Sequence, residues 1–250
     1  MVKQDEPKCA VITIAGGSRG LGSSILKTYE NKGYKCIAFH RHAKISRATN
    51  FYFDIESTDS LNSCTNNLLS IVNGGNFDEL SIHFLSGGSL GLERLNCDKK
   101  DLIRSIMHNY IVPVHICDLI AKAVEDRNSK IARIDLILYS SAVTQHLSGN
   151  PHYCAGKSAL EAYFKSAFKT CPEIIRMYLF RLGMVDIQHK YFHKLSKEDP
   201  GKFTSILKEN IPSMHFTTPE EIANIVASMT IGMSATNGLL CDLTGGNSWN

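Results

Sequence analysis

The chain is predicted to be an α/β protein: a single doubly wound Rossmann domain with an about seven-stranded parallel sheet and helices on both faces. Three observations predict this. Short Val- and Ile-rich runs alternate with helix-patterned segments along the whole sequence. The first run feeds a glycine-rich turn, Ala15-Gly16-Gly17-Ser18-Arg19-Gly20-Leu21-Gly22. No low-complexity linker or composition break divides the 250 residues, so 1–250 is read as one domain.

The elements follow in order. Cys9 to Ala15 is a short buried strand ending in glycines. Leu21 to Lys32 carries helical spacing at Leu21, Ile25 and Tyr29, and Gly33 ends it. Lys35 to Phe39 and Asn50 to Phe53 are strands, the latter closed by Asp54. Thr58 to Ile71 is a helix with Leu61, Leu68 and Leu69 inward, and Gly74-Gly75-Asn76 is a turn. Leu80 to Leu85 is a fourth strand, ending in Ser86-Gly87-Gly88. Lys100 to Glu125 is a long helical region that Pro113 should kink or disturb. Arg133 to Tyr139 is a strand, Pro151 to Thr170 a helix, and Ile174 to Leu182 a strand ending at Gly183. Thr218-Pro219-Glu220-Glu221 is a helix start, with Thr218 as N-cap and Glu221 closing a capping box. Gly238 to Leu243 is the last strand. Only 188–216 breaks the rhythm; it is polar, aromatic and charged, and reads as an irregular substrate lid, the plain alternative being a surface insertion.

Composition narrows the function. A 43% apolar content supplies a core, and a net charge of +3 without a basic run points away from nucleic acid. The eight cysteines show no C-x-x-C spacing and read as reduced thiols of a cytoplasmic protein, not as a disulfide frame or zinc site. Met1 to Lys8 is charged and lacks a signal-peptide apolar region. No stretch approaches the roughly 20 apolar residues that span a bilayer, so no membrane partner is expected. No metal is expected either; His189 and His193, spaced four apart, read as solvated. His146 and His152 flank the active-site loop on the substrate side.

Tyr153 and Lys157 stand four residues apart on a helix, which puts both on one face. The ammonium is expected to lower the phenol's pKa toward neutral, making Tyr153 a general acid/base. A serine at the end of the preceding strand could hold a carbonyl oxygen. At the other end, Gly16 allows the tight turn, Gly20 lets backbone approach a pyrophosphate, and Gly22 lets helix pack on strand, with the helix N-terminus facing the diphosphate.

These segments, in this order, resemble the short-chain dehydrogenase/reductase family over nearly the whole chain, from about Ala10 to Gly246. The family's T-G-x-x-x-G-x-G stands here as residues 15–22, its N-N-A-G as Leu85-Ser86-Gly87-Gly88, its helix asparagine as Asn109, its Y-x-x-x-K as Tyr153 and Lys157, and its P-G turn as Leu182-Gly183. Ala15, Leu85-Ser86, Leu182 and Ile187 depart from the family pattern and mark an outlying member. For the serine, alignment of the strand favours Ser141 and the spacing to Tyr153 favours Ser140; Ser141 is chosen because the strand sets which residues reach the site.

The resemblance implies an oxidoreductase that moves a hydride between a nicotinamide cofactor and a carbonyl or alcohol, with Asn109, Ser141, Tyr153 and Lys157 catalytic. Asn109 would position a water that passes protons to Lys157. The cofactor contacts implied are Gly16, Ser18, Arg19, Gly20, Leu21, Gly22, His40, Arg41, Asp54, Ile55, Ser86, Gly87, Gly88, Tyr153, Lys157, Gly183 and Val185. NAD preference usually needs an acid at the end of the second strand. Here Phe39-His40-Arg41-His42 has none, so NADP(H) is read, with Arg19 and Arg41 on the 2′-phosphate and His40 as helper. Asp54 matches an adenine-contacting aspartate. The plain alternatives are a solvated Arg41 and a capping Asp54. Family members are commonly dimers or tetramers, so a homodimer or homotetramer is expected. An NAD-dependent alcohol dehydrogenase and a catalytically idle dinucleotide sensor remain as rivals.

Overall fold

The computed structural model describes residues 8–41, 44–74, 76–88, 97–126, 130–147, 150–187, 191–233 and 236–247. His42, Gly75 and His189 of the sequence reading lie outside the described residues, as do Met1–Pro7 of the leading segment and 188–190 at the start of the expected lid.

Seven strands, β1 (Cys9–Ile14), β2 (Lys35–His40), β3 (Thr49–Tyr52), β4 (Glu79–Phe84), β5 (Arg133–Ser141), β6 (Ile175–Leu182) and β7 (Leu239–Leu243), pair in parallel in the order β3-β2-β1-β4-β5-β6-β7. The helices are α1 (Gly20–Glu30), α2 (Thr58–Asn73), α3 (Lys99–Ile106), α4 (Val112–Glu125), α5 (Val143–His146), α6 (Pro151–Ala167), α7 (Tyr191–Glu198), α8 (Pro200–Asn210) and α9 (Pro219–Thr230). The chain runs outward from β1 to β3, then returns to β1's other side with β4. That reversal opens a crevice at the carboxyl ends of β1 and β4, where open α/β sheets bind ligands.

Successive side chains on a strand point to opposite faces. On one face Ile12, Ile14, Phe39, Ile82 and Leu136 pack with Leu68 of α2, Ile116 of α4 and Phe164 of α6. On the other, Val11, Ala38, Ile137 and Tyr178 pack with Ile25 and Tyr29 of α1 and Ile222 and Val226 of α9. Full burial of one large apolar side chain contributes about 1.5–3 kcal/mol, well above the few tenths that separate most residues' helix propensities. Packing on the sheet therefore sets where the helices lie. The second layer also holds polar groups: His83 contacts the Tyr139 hydroxyl at 2.9 Å and the Ser81 hydroxyl at 3.1 Å.

Two elements differ from expectation, α5 and 188–216, whereas the region around Pro113 is disturbed as expected: the proline follows a π-helical turn, Met107–Ile111, where the Val112 N–H reaches back to the Met107 carbonyl. A residue without an N–H is accommodated by widening the ladder just before it. The single-turn helix α5 was not read from the sequence, because four residues carry no usable period. The stretch read as irregular, 188–216, is helical over most of its described length. Asp199 caps α8 by accepting from the Lys202 N–H at 2.9 Å, and Pro200 takes the first helical position. A small third core of Leu207, Ile211 and Phe216, with Met184, Phe192, Phe203 and Ile206 against it, ties the two helices to the loop after β6. Among the described residues no helix is long and apolar enough to cross a membrane.

Candidate active site

The glycine-rich loop between β1 and α1 is packed too tightly for side chains. A Cβ on Gly22 would lie 2.4 Å from the Gly17 nitrogen, so α1 can abut the loop only with glycine there. The Thr13 hydroxyl closes the turn by donating to the Gly16 carbonyl at 2.9 Å. Arg19 is the N-cap of α1 and makes no side-chain cap bond, so the helix presents its first N–H groups to the crevice.

The crevice is a cleft of about 1360 Å³. Gly16, Ser18, Arg19, Gly20, Leu21 and Gly22 line one side; Ser86, Gly87 and Gly88 after β4, Ser141, Tyr153, Lys157, Gly183 and Val185 line the rest. Phe192 and His193 of α7 close the far wall, and His193 Nδ1 meets the Asp186 carboxylate at 3.2 Å. A smaller adjoining cavity of about 260 Å³ is lined by His40, Arg41, Asp54 and Ile55. The expected site residues thus gather in two connected hollows, except Asn109, which stands behind the wall.

The Tyr153 phenol is hydrogen-bonded to Ser141; burial pushes its pKa up, and the serine bond pulls it back down. Lys157 is buried and its pKa is pushed down to about 8. Its Nζ donates to the Tyr139 carbonyl at 2.7 Å and lies 6.0 Å from the Tyr153 ring centroid. This corrects the expectation that the ammonium brings the phenol toward neutral: in this structure desolvation dominates both groups.

The two serines separate by strand alternation. Ser140 faces α6, where its hydroxyl donates to the Glu161 carboxylate at 2.6 Å. Both serines border the cleft, but the Ser141 side chain is the one that reaches Tyr153. Glu161 also accepts from Thr144 at 2.6 Å and from Arg181 at 2.7 and 2.9 Å, and Arg181 reaches Asp242 at 3.2 Å. This buried network was missed from the sequence; Glu161, four residues beyond Lys157, was its legible trace.

Asn109 sits in the π turn with its side chain committed. Its amide accepts from the Gly88 N–H at 3.0 Å and donates to the Gly88 and Ser105 carbonyls at 3.1 and 3.0 Å. A Cβ on Gly87, at φ +130°, would meet Asn109 Oδ1 at 2.7 Å and Lys157 Nζ at 2.8 Å, so glycine alone fits between loop, asparagine and lysine.

At the adenine-side cavity, Arg41 is half exposed and lies 3.6 Å from the Asp54 carboxylate. His40 is buried; its Nε2 meets the Asn50 amide oxygen at 2.7 Å, and its Nδ1 is buried without a hydrogen-bond partner among the described residues. The sequence reading also missed Glu56, Arg104 and His108 in this wall, with Arg104 Nε 2.8 Å from Glu56.

A dinucleotide fits this lining. The glycine cradle leaves room for a diphosphate that any Cβ on Gly22 would disrupt. The Ser86 hydroxyl, on the wall between the two hollows, is buried without a hydrogen-bond partner among the described residues. Among the described residues no group of three or more His, Cys, Asp and Glu could hold a metal ion.

Comparison with known proteins agrees with this geometry. The model of the short chain dehydrogenase family matches residues 10–195. No curated protein is significantly similar in sequence. Among solved structures, aldohexose dehydrogenase of Thermoplasma acidophilum superposes with a TM-score of 0.78 at 18% identity, covering 97% of this chain and 95% of its own. L-sorbose reductase of Gluconobacter frateurii, solved with NADPH and L-sorbose, gives 0.79 at 18% identity, covering 98% of each chain. A short-chain dehydrogenase/reductase of Serratia marcescens gives 0.72 at 21% identity, covering 97% of this chain and 99% of its own.

Proposed function

This chain belongs to the short chain dehydrogenase family, and from that premise we propose that it is an NADP(H)-dependent oxidoreductase interconverting a carbonyl and an alcohol, with Tyr153 as its general acid/base. The observation that carries the reading is the Tyr153 phenol, bonded to Ser141 and flanked by Lys157, in the same cleft as the glycine loop.

The loop and the α1 N-terminus would hold the diphosphate, and Lys157 the nicotinamide ribose hydroxyls. Arg19 and Arg41 would hold a 2′-phosphate; no acid stands at the end of β2 to favour the bare hydroxyl. When bound, the nicotinamide supplies a hydride in reduction and accepts one in oxidation. The Ser141 hydroxyl orients the substrate's carbonyl oxygen, and Tyr153 gives its hydroxyl proton to that oxygen. Lys157 faces the phenolate left behind and stabilises it, which offsets the burial that raises the resting phenol. The Asn109 side chain is spent on Gly88, so it serves by fixing that loop. Its main-chain carbonyl cannot be bonded by Pro113, which has no N–H, and is the group suited to hold a water on Lys157. The α7–α8 pair forms the substrate-side lid over residues 188–216 of a single domain. Its aromatic face, Phe192 with Phe216 at 4.8 Å, favours a substrate with an apolar portion. Exposed Leu102, Ile103 and Ile111 along α3 and the π turn support pairing with a second copy of the chain.

The test is Tyr153→Phe, assayed on a panel of carbonyl compounds by NADPH oxidation. Turnover should fall by ~10²–10⁴-fold while NADPH binding persists. Near-normal turnover would refute the mechanism.

A further inference from the structure

All eight cysteines are free thiols, and one of them has an imidazole partner that sequence spacing does not reveal. Cys97 Sγ lies 3.0 Å from His152 Nε2, with both residues partly exposed. We propose that Cys97 is a reactive thiol, with His152 as its base, that takes low-molecular-weight disulfides of the glutathione type and forms a mixed disulfide beside the amino ends of α3 and α6.

Three features single it out. First, an imidazole nitrogen in contact with the sulfur can take its proton, and the thiolate is the nucleophile in disulfide exchange. Second, Cys97 immediately precedes Asp98, the N-cap of α3, and His152 is the second residue of α6, which packs against α3. The amino ends of α3 and α6 therefore flank this Cys–His pair. Third, the other thiols are disabled. Cys36, Cys64, Cys117 and Cys154 are buried. Cys9, Cys171 and Cys241 are partly exposed, but burial pushes each thiol's pKa up. None of these has an imidazole partner among the contacts described.

The exchange balances without another reactant. The Cys97 thiol gives its proton to His152 Nε2, and the thiolate attacks one sulfur of the disulfide. The old S–S bond breaks as the new one forms. The departing thiolate takes the proton back from His152, leaving Cys97 oxidised and one small thiol reduced. The charged groups beside the pair are Asp98, Lys99, Lys100 and Asp101 on the first turn of α3.

The experiment treats the whole protein with glutathione disulfide, and separately with iodoacetamide, and maps every cysteine by peptide mass spectrometry over time. Cys97 should react at least about tenfold faster than Cys9, Cys171 or Cys241 with both reagents. Dithiothreitol should reverse the glutathione adduct. His152→Gln and His152→Phe should each slow Cys97 by about tenfold or more, and Cys97→Ser should abolish the fast phase. Equal rates across the four partly exposed cysteines in the unaltered protein would overturn the proposal. So would a Cys97 rate that is unchanged in both His152 variants.

Discussion

The Ser140 hydroxyl donates to the Glu161 carboxylate at 2.6 Å, and this bond holds the first of two adjacent serines against α6. Ser141, freed from α6 by strand alternation, meets Tyr153. Ser141→Ala should lower kcat by ~10²–10³-fold, the usual cost of losing a donor to a developing oxyanion. Ser140→Ala should leave kcat within a few-fold and instead cost about 1–3 kcal/mol of stability, since a buried carboxylate loses a donor. Steady-state kinetics and urea denaturation on both variants check this. If Ser140→Ala is the more damaging to kcat, the strand assignment is wrong.

The proposed cofactor choice rests on Arg41, which lies 3.6 Å from the Asp54 carboxylate. NADPH should bind more than tenfold tighter than NADH, a difference of about 1.4 kcal/mol or more. Arg41→Asp should erase or reverse that ratio. Calorimetric titration of both cofactors is the measurement, and equal affinities in the unaltered protein would defeat the NADP(H) reading.

Arg181 and Glu161 form a bidentate pair under the ends of β5 and β6, and each side chain is less than a tenth exposed. Glu161→Gln strands a buried guanidinium with only part of its partners, and should cost about 3–5 kcal/mol in a denaturant titration. The double variant Glu161→Gln, Arg181→Met should be less destabilised than the sum of the two singles, because a lone buried charge is worse than none. Strict additivity would show that the two do not act as a pair.

His83 is fully buried and its pKa is pushed down to about 3 by that burial. The unfolded imidazole titrates near 6.5. Between those values the unfolded chain binds the extra proton, so stability rises with pH across the window and falls as pH drops from about 6.5 toward 3. From pH 6.5 to 5 this one group should remove about 1.5–2 kcal/mol. His83→Gln should flatten the acid limb of stability against pH by about one proton. An unchanged slope in that variant would assign the acid sensitivity elsewhere.

The parallel sheet and the segments that line the cleft were legible because each depends on local pattern: apolar runs, glycine turns, and a tyrosine and a lysine one helical turn apart. Less visible was what depends on contacts across the chain. Nothing near Ser140 announces Glu161, and nothing near Cys97 announces His152; both partners arrive through α6. The hold of Asn50 on His40, from the neighbouring strand β3, was hidden for the same reason. The helices of 188–216 were hidden differently: Asp199-Pro200 was a readable start, but the polar and aromatic composition around it masked the period.

The small core of Leu207, Ile211 and Phe216 is separate from the two that sandwich the sheet, and Phe192, which packs against it, also faces the cleft. Substitutions among these aromatics reshape the wall that a substrate meets while the strands keep their own neighbours. A change at Phe192 is therefore expected to register at the cleft and in this small core together, while the two layers against the sheet keep their own neighbours.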